Sequence, residues 1–417
     1  MESNKCEEPF ELCKEDLQCV LNKELKSSFE IENFKTEGLT KPGDNYGGTI
    51  LSVEVTCIQE DVRRKVSLVA KLMPPSEFLR DAFNIKVTFN KEVRSYALVF
   101  PELKRLQEEQ KIPIDEILDI FPKFYGARTN LKKDMFQAAD HSAFLLLENL
   151  KTLGYTVGDR RKGLNLAHVE FVVKKLAHFH ATTIALKSHK PDVFKSTVLK
   201  ACEKFTLGSK FDVEKLISAT IKSIKAISEC APYVKTIENR VREALEIEFV
   251  LSPVPKEPFA TMLHNDFWVN NMLFKYDSSE NKETPKNMKF VDFQIVVYDS
   301  PVRDILFFLF TSSEDGLLDK HLDDLIDQYY GEFIKHLDRL DCNIDDFSYD
   351  KFKNEFDIYA PREFSHILFI LRVVSAENSG AQSLSESDMD MFDSNGGEVY
   401  ANKVKSLILT FLNRGWL

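Results

Sequence analysis

Three polar residues in the second half of the sequence, His264, Asp266 and Asn271, have a spacing that suits phosphoryl transfer. Asp292 follows them after two short apolar runs. Carboxylate and amide oxygens are ligands that magnesium prefers, and a carboxylate can accept the proton of an attacking hydroxyl. The four residues therefore indicate a site at which a hydroxyl attacks a metal-bound phosphate. Such a short pattern also occurs by chance, so its weight depends on the elements that carry it.

The segment around Asp292 has the pattern of a β-hairpin. Two apolar runs, 272–276 and 288–292, flank a polar connection at 277–287. Asn271 immediately precedes the first run, and Asp292 ends the second. Antiparallel pairing returns the chain to where it started, so we expect the two side chains to meet at the open end of the hairpin.

The first third of the sequence contains residues that would complete such a site. Lys71 lies in a predicted strand, and Glu92 lies in a predicted helix, where it can hold Lys71 in an ion pair. A glycine-rich connection, which includes Asn45 and Gly47, can close over phosphates with its backbone amides. Each feature alone has an ordinary alternative: a solvated strand lysine, a surface glutamate, a simple turn. Their order along the chain favours a protein-kinase-like plan.

The periodicity of apolar residues predicts an α+β fold of two lobes. A five-stranded antiparallel sheet is expected from short β-branched runs at 34–40, 49–59, 65–73, 121–129 and 143–147. A long helix is expected at 85–110, kinked or ended early by Pro101. The remainder is mostly helical, with patterns at 166–187, 194–228, 232–249, 303–312, 317–339, 348–357, 363–376 and 399–414. We place the N-terminal lobe, which begins with a short amphipathic segment, at residues 1–147 and the C-terminal lobe at 148–417.

Composition excludes several classes of protein. The formal net charge of −11 argues against a nucleic-acid partner, because phosphate backbones attract basic surfaces. The seven cysteines are scattered without a C-x-x-C pair, so neither a disulfide scaffold nor structural zinc is expected. The N-terminus is too polar for a signal peptide, and the most apolar runs are too short to cross a bilayer. We therefore expect a cytoplasmic protein without a membrane partner, and we expect it to be a monomer. The 33 phenylalanines are either core or the lining of a pocket for an apolar ligand.

The segment at 263–276, together with 290–294 and 298–301, resembles the ecdysteroid kinase-like (CHK kinase-like) proteins of insects. These proteins are similar to choline kinases and aminoglycoside phosphotransferases and share the protein-kinase-like fold. Matches at 43–48, 70–72, 146–150 and 176–181 support the resemblance, which covers the chain from about residue 35 to the C-terminus.

The resemblance implies a role for each candidate residue. Asp266 would be the catalytic base, and Asn271 and Asp292 would hold Mg²⁺. Lys71 would contact the phosphates of ATP, oriented by Glu92.

Other residues would support this centre. Glu148 and Leu150 would belong to the hinge that meets adenine through backbone groups. His264 would brace the catalytic loop, and Asp304 would tie down the backbone of that loop. For His178 and His180, which lie on a predicted helix, a packing role is expected.

The chain departs from the protein-kinase pattern in ways that affect the expected substrate. The glycine-rich connection lacks G-x-G-x-x-G spacing, Phe293 is followed by Gln294 rather than glycine, and no A-P-E segment is present. A protein substrate is therefore not expected. We expect an ATP- and Mg²⁺-dependent kinase for a hydroxyl on a small, largely apolar molecule, such as an ecdysteroid or a foreign alcohol to be detoxified.

Two alternatives remain open. A choline-like or aminoglycoside-like cationic substrate would need acidic residues in the helical lobe, for which the pairs at 314–315, 323–324 and 345–346 are candidates. A catalytically inactive module that binds nucleotide or steroid is the other alternative. It is disfavoured because Lys71, Asp266, Asn271 and Asp292 are all present.

Overall fold

A five-stranded antiparallel sheet forms the first lobe. The computed structural model describes residues 10–25, 29–39, 48–59, 62–132, 134–206, 208, 212–278, 282–376 and 397–417, so Asn45 and Gly47 lie outside the described residues. The strands are β1 (Phe29–Gly38), β2 (Thr49–Gln59), β3 (Val62–Leu72), β4 (Phe124–Arg128) and β5 (Phe144–Glu148). They lie in the order β1-β2-β3-β5-β4, and every neighbouring pair is antiparallel. The predicted sheet is confirmed, with strand ends shifted by a few residues.

The two faces of the sheet pack against different elements, because successive side chains of a strand point in opposite directions. On β3, Leu68, Ala70 and Leu72 point into an apolar cluster with α1 (Lys14–Leu25). Lys71 lies between them in sequence and therefore points to the opposite face. That face is covered by the long helix and the rest of the molecule.

The long helix is continuous but not uniform. It consists of α3 (Ile85–Arg94), a π turn at Ser95–Val99 and α4 (Phe100–Glu109), and it is preceded by α2 (Glu77–Ala82). Pro101 was expected either to kink this helix or to end it early. It does not end the helix but lies in the first turn of α4. Proline has no N–H to donate to the preceding turn, and the wider π turn lies immediately before it.

The second lobe is mostly helical, as predicted. Its helices are α5 (Leu166–His189), α6 (Pro191–Ser196), α7 (Val198–Ala201), α8 (Val213–Lys225), α9 (Val234–Glu246), α10 (Val302–Ser312), α11 (Leu318–Arg339), α12 (Tyr349–Ser375) and α13 (Gly397–Asn413). Two expected boundaries were wrong. The pattern at 194–228 is divided among three helices, and the patterns at 348–357 and 363–376 belong to the single helix α12. Pro361 lies inside α12, where buried residues on both sides hold the helix in the core despite the missing hydrogen bond.

Short strands frame the candidate site within the helical lobe. The predicted hairpin is present as β8 (Met272–Lys275) and β9 (Asn287–Phe290), and β6 (Thr156–Val157) pairs with β8. A second antiparallel pair, β7 (Thr261–Leu263) with β10 (Val297–Asp299), was not predicted. β7 leads directly into His264, and β10 follows Asp292 after a short connection, so this pair fixes both ends of the site. The α+β arrangement is confirmed. In the part of the chain that the structure describes, no helix has the length and apolarity needed to cross a membrane.

Candidate active site

The open end of the hairpin brings Asn271 and Asp292 together. Met272 pairs with Phe290, and the register continues as the Val291 N–H donates to the Asn271 carbonyl at 3.0 Å. Asn271 therefore lies beside the strand end that carries Asp292. Both side chains line the same cavity.

Asp266 is held against Asn271 by two hydrogen bonds. The Asn271 amide nitrogen Nδ2 donates to the Asp266 carbonyl and to the Asp266 carboxylate Oδ2, each at 2.8 Å. Because Nδ2 points at Asp266, the amide oxygen of Asn271 faces away from it. Burial and the nearby charge of Asp292 raise the pKa of Asp266 above its ordinary value.

Lys71 connects the two lobes through a buried ionic cluster. Its Nζ lies 2.6 Å from Glu92 Oε2 on α3 and 2.7 Å from Asp292 Oδ1. The Lys71 and Glu92 side chains are only 6% and 2% exposed. Burial alone would lower the pKa of Lys71, but the charges of Asp292 and Glu92 outweigh it and raise that pKa above its ordinary value. Lys71 is therefore a permanent cation at the site.

Asp304, in the first turn of α10, anchors the backbone of the catalytic loop. Its carboxylate accepts the N–H of His264 at 2.7 Å and the N–H of Asn265 at 2.8 Å. His180 Nε2 donates to the same carboxylate at 3.3 Å, and the Tyr329 hydroxyl donates to His180 Nδ1 at 2.8 Å. Burial alone would raise the pKa of Asp304, but the His180 bond and the backbone amides lower it. The carboxylate is thus held ionised under the loop.

His264 ties the catalytic loop to the hairpin. Its Nδ1 accepts the N–H of Asp266 at 3.4 Å, which leaves Nε2 protonated to donate to the Val291 carbonyl at 2.8 Å. The ring also packs against Phe293, with centroids 4.5 Å apart. His264 thereby fixes the distance between the base candidate Asp266 and the strand end at Asp292.

Two residues of the site adopt left-handed backbone conformations. Asn265 has φ 65° and Asp292 has φ 68°. Asparagine and aspartate tolerate this region best among residues with a side chain. The chain therefore turns sharply just before Asp266 and at Asp292, and both of these residues line the cavity.

The expected nucleotide-binding elements lie on the sheet side of this centre. At the described end of the glycine-rich connection, a Cβ on Gly48 would come within 2.6 Å of the Leu72 carbonyl and 3.3 Å of Lys71 Cγ. No side chain fits there, so Gly48 itself packs directly against Lys71. Glu148 ends β5, and its N–H donates to the Lys123 carbonyl at 2.9 Å.

Leu150 lies just past that strand end, next to the β8–β9 hairpin. It is buried in a small apolar cluster with Tyr155, Leu273 and Val291. Leu273 belongs to β8, and Val291 directly precedes Asp292. The hinge candidate Leu150 thus belongs to a small apolar cluster beside the hairpin, and Glu148 precedes it by two residues.

A cavity of about 650 Å³ opens beside Asp266, Asn271 and Asp292. Its walls are mostly apolar and come mainly from α2 and α3, from residues 202–206 and 213–255, from residues 294–303 and from α12. The apolar lining includes Phe78, Leu79, Phe83, Phe205, Leu216, Leu245, Phe249, Phe369 and Ile370. Pockets for drug-sized ligands span roughly 300–1,000 Å³ and are mostly apolar.

The charged groups on the cavity wall neutralise one another. Arg303 contacts Glu363 at 2.6 Å, Asp299 at 2.8 Å and Glu248 at 3.3 Å. Arg362 lies 3.1 Å from the same Asp299 carboxylate. Each arginine is therefore matched by carboxylates, and this part of the wall offers no free charge to a ligand.

The residues fit a magnesium site of the kind that phosphates complete. The Asn271 Oδ1 and Asp292 Oδ2 oxygens face the cavity without a hydrogen-bond partner among the described residues. The described ranges contain no group of three or more His, Cys, Asp or Glu residues that could hold a metal by themselves. Magnesium is usually bound by one or two protein ligands together with phosphates and water, which is what two free oxygens allow.

Sequence reasoning missed what His180 does. Its packing role was expected, but the structure places it directly under the catalytic loop, on Asp304. His178 has the expected kind of role: its Nε2 donates to Gln107 at 3.1 Å, and its ring stacks on His336 at 3.7 Å. A single sequence does not distinguish these two histidines, because both lie on α5 among apolar residues.

Comparison with known proteins identifies the family. Two solved structures are similar: a microcompartment-associated aminopropanol kinase (TM-score 0.40, 11% identity, 95% of this chain and 98% of that chain) and an ADP-bound aminoglycoside phosphotransferase (TM-score 0.31, 14% identity, 92% and 97%). None of the curated proteins matches the chain. The sequence pattern of the ecdysteroid kinase-like family matches residues 42–342, well over half of the chain. The chain therefore belongs to the ecdysteroid kinase-like family and is a small-molecule kinase.

Proposed function

We propose that the protein transfers the γ-phosphoryl group of ATP, with Mg²⁺, to a hydroxyl of a small, neutral and largely apolar alcohol such as an ecdysteroid or a foreign alcohol. One observation carries this proposal: Asp266, Asn271 and Asp292 open into a mostly apolar cavity of about 650 Å³. Phosphoryl transfer depends mainly on positioning and on charge neutralisation, and the site offers both.

The residues divide the reaction among them. Asp266 would accept the proton of the substrate hydroxyl, and its bond to Asn271 holds the carboxylate in place. Lys71 would exchange its contact with Asp292 for one with the phosphates while Glu92 keeps it oriented. Magnesium held by Asn271 and Asp292 would neutralise charge on the transferred phosphate.

The hinge region supports the use of a nucleotide. An adenine between β5 and the hairpin would lie against the apolar cluster of Leu150, Leu273 and Val291. Gly48 packs against Lys71, beside which the phosphates would lie. Asn45 and Gly47 remain candidates for phosphate contacts through their backbone amides.

The wall of the cavity favours a neutral substrate over a cationic one. Arg303 and Arg362 engage the three carboxylates Glu248, Asp299 and Glu363 in ion pairs, so the carboxylates exceed the arginines by one but each is already bound to a cation and is less available to an amine. The acidic pairs at 314–315, 323–324 and 345–346 are not among the residues that line this cavity. These observations favour an alcohol of the ecdysteroid type over a choline-like or aminoglycoside-like substrate.

We also propose that the protein acts as a cytoplasmic monomer. The base, the metal ligands, the lysine and the cavity all come from one chain, so the site needs no second copy. The described cysteines are free thiols, which suits a reducing compartment.

The proposal is tested by incubating the purified protein with ATP, Mg²⁺ and a panel of ecdysteroids, other apolar alcohols, choline and an aminoglycoside. We expect mass spectrometry to find a phosphate adduct on an apolar alcohol. An adduct on choline or the aminoglycoside alone would overturn the substrate assignment. Intact ATP binding without any adduct would show an inactive binding module instead.

The role of Asp266 has its own test. Asp266→Ala removes the proton acceptor, so kcat should fall by about 10²–10⁴-fold, while ATP binding measured by calorimetry should persist. Asp277→Ala is the matched control, because this carboxylate lies at the far end of the same hairpin and is 76% exposed. If Asp266→Ala kept most of the activity, Asp266 would not be the base.

A further inference from the structure

His366, on α12, is one of the residues that line the cavity. It lines the cavity together with Asp266, and its side chain is 31% exposed although the surrounding helix is buried. A histidine on an apolar helix face is ordinarily a packing residue. Here the ring is open to the space in which the substrate would lie.

The orientation of the His366 ring is fixed on two sides. Nδ1 lies 2.6 Å from Glu363 Oε1, and the ring packs against Phe307 with centroids 4.4 Å apart. Glu363 is itself almost fully buried and is held by Arg303 at 2.6 Å. A carboxylate partner requires a proton on Nδ1. The ring therefore cannot turn without breaking a charge-assisted bond.

The second nitrogen of His366 is available to a ligand. Nε2 makes no hydrogen bond to any residue that the structure describes, and it is not sealed within the protein. Burial alone would lower the pKa of His366, but Glu363 outweighs it and raises that pKa. With the Nδ1 proton directed at Glu363, Nε2 is the ring nitrogen left to form a hydrogen bond with a ligand.

The surroundings of His366 point to the reacting end of the substrate. Asp266 and His366 each shift the pKa of the other, as expected of two groups on one cavity. Asn265 and Trp268, on either side of Asp266 in sequence, also line this cavity.

We propose that His366 is a substrate-positioning residue, whose Nε2 forms a hydrogen bond with a hydroxyl of the acceptor alcohol beside Asp266. This inference rests on the proposed phosphotransferase function. It adds that the substrate presents a hydroxyl to His366 at its reacting end, whereas the remainder of the molecule is apolar.

Two substitutions separate this role from a structural one. His366→Asn keeps a donor for Glu363 at the position of Nδ1 but has no atom at the position of Nε2. His366→Gln extends an amide to the position of Nε2. We expect His366→Asn to raise the KM for the alcohol at least tenfold with the KM for ATP unchanged, and His366→Gln to stay within about threefold of the wild type. His321→Asn, on the surface of α11, is the control.

The outcomes distinguish this inference from the proposed function. An unchanged alcohol KM in His366→Asn, or equal losses in alcohol KM, ATP KM and kcat in both variants, would overturn the role of His366 while leaving the kinase intact. If the wild type phosphorylates no alcohol, the proposed function fails, and binding of ecdysone measured by calorimetry then decides the role of His366. Tighter binding to the wild type than to His366→Asn would support it; equal binding, or none, would refute it.

Discussion

At the scale of single residues, Lys71 carries the strongest electrostatic coupling in the site. Its ammonium lies between two carboxylates, Glu92 and Asp292, in a place where water does not reach it. A buried charge that loses its partner costs more than an exposed one, because the remaining charge is left in a poorly polarisable environment. We therefore expect Lys71 to contribute to folding stability in addition to its proposed contact with phosphates.

Lys71→Met should lower the free energy of unfolding by about 3–5 kcal/mol, because Glu92 is left buried without a cation. In Lys71→Met/Glu92→Gln part of this loss should be recovered, whereas activity should remain absent from both variants. Urea unfolding measures the first effect and product formation the second.

The control for this prediction is Lys65→Met, which changes an exposed lysine of the same strand. It should leave both stability and activity near the wild-type values. If the double variant were no more stable than Lys71→Met, the cost would come from lost side-chain packing rather than from the unpaired carboxylate.

At the scale of elements, the catalytic loop is positioned by the first turn of α10. Asp304 accepts two consecutive backbone N–H groups of the loop, and His180 on α5 and Tyr329 on α11 support it from behind. Three helices thus converge on one carboxylate. The loop that presents Asp266 can be rigid even though it contains a left-handed residue, Asn265.

Asp304→Asn should lower kcat by roughly 10- to 100-fold, because one N–H of the loop loses a charged acceptor worth about 1.5–3 kcal/mol. Nucleotide affinity should change little, since Lys71 and the hinge are untouched. The measurement is steady-state kinetics together with ADP binding by calorimetry. Asp192→Asn is the control, because Asp192 also lies in the first turn of a helix but is 99% exposed. A parallel loss of ADP affinity would indicate a collapsed site rather than a misplaced base.

The sequence allowed prediction of those parts of the site that local rules determine. The meeting of Asn271 with Asp292 follows from hairpin pairing, and the direction of Lys71 follows from alternation along β3. The wall formed by α2 and the exposure of His366 depend on how distant helices pack, and no spacing in the sequence encodes that. Local rules also fail at Pro361. A proline predicts a break in the helix, but tertiary packing keeps α12 continuous through it.

At the scale of the whole molecule, each of the two lobes contributes different side chains to one candidate site. Lys71 and Glu92 belong to the sheet lobe, whereas Asp266, Asn271 and Asp292 belong to the helical lobe. In the structure, the contact between Lys71 and Asp292 is a direct ionic link between them. A nucleotide with its metal would contact Lys71 in one lobe and Asp292 in the other. We therefore expect its binding to raise the free energy of unfolding of both lobes together.

Mg²⁺ should therefore increase the stabilisation that ADP provides. A ligand at 100 times its Kd stabilises the folded state by about 2.7 kcal/mol, so a tighter Mg²⁺·ADP complex should raise Tm further than ADP alone at the same concentration. Asp292→Asn removes one charged oxygen from the metal site, and we expect it to lose the Mg²⁺-dependent part of the shift while keeping the part due to ADP. Asp277→Asn, at the exposed end of the same hairpin, should keep both parts. An equal Mg²⁺ increment in Asp292→Asn and in the wild type would show that the metal contacts only the nucleotide, and the assignment of Asp292 as a ligand would then be wrong.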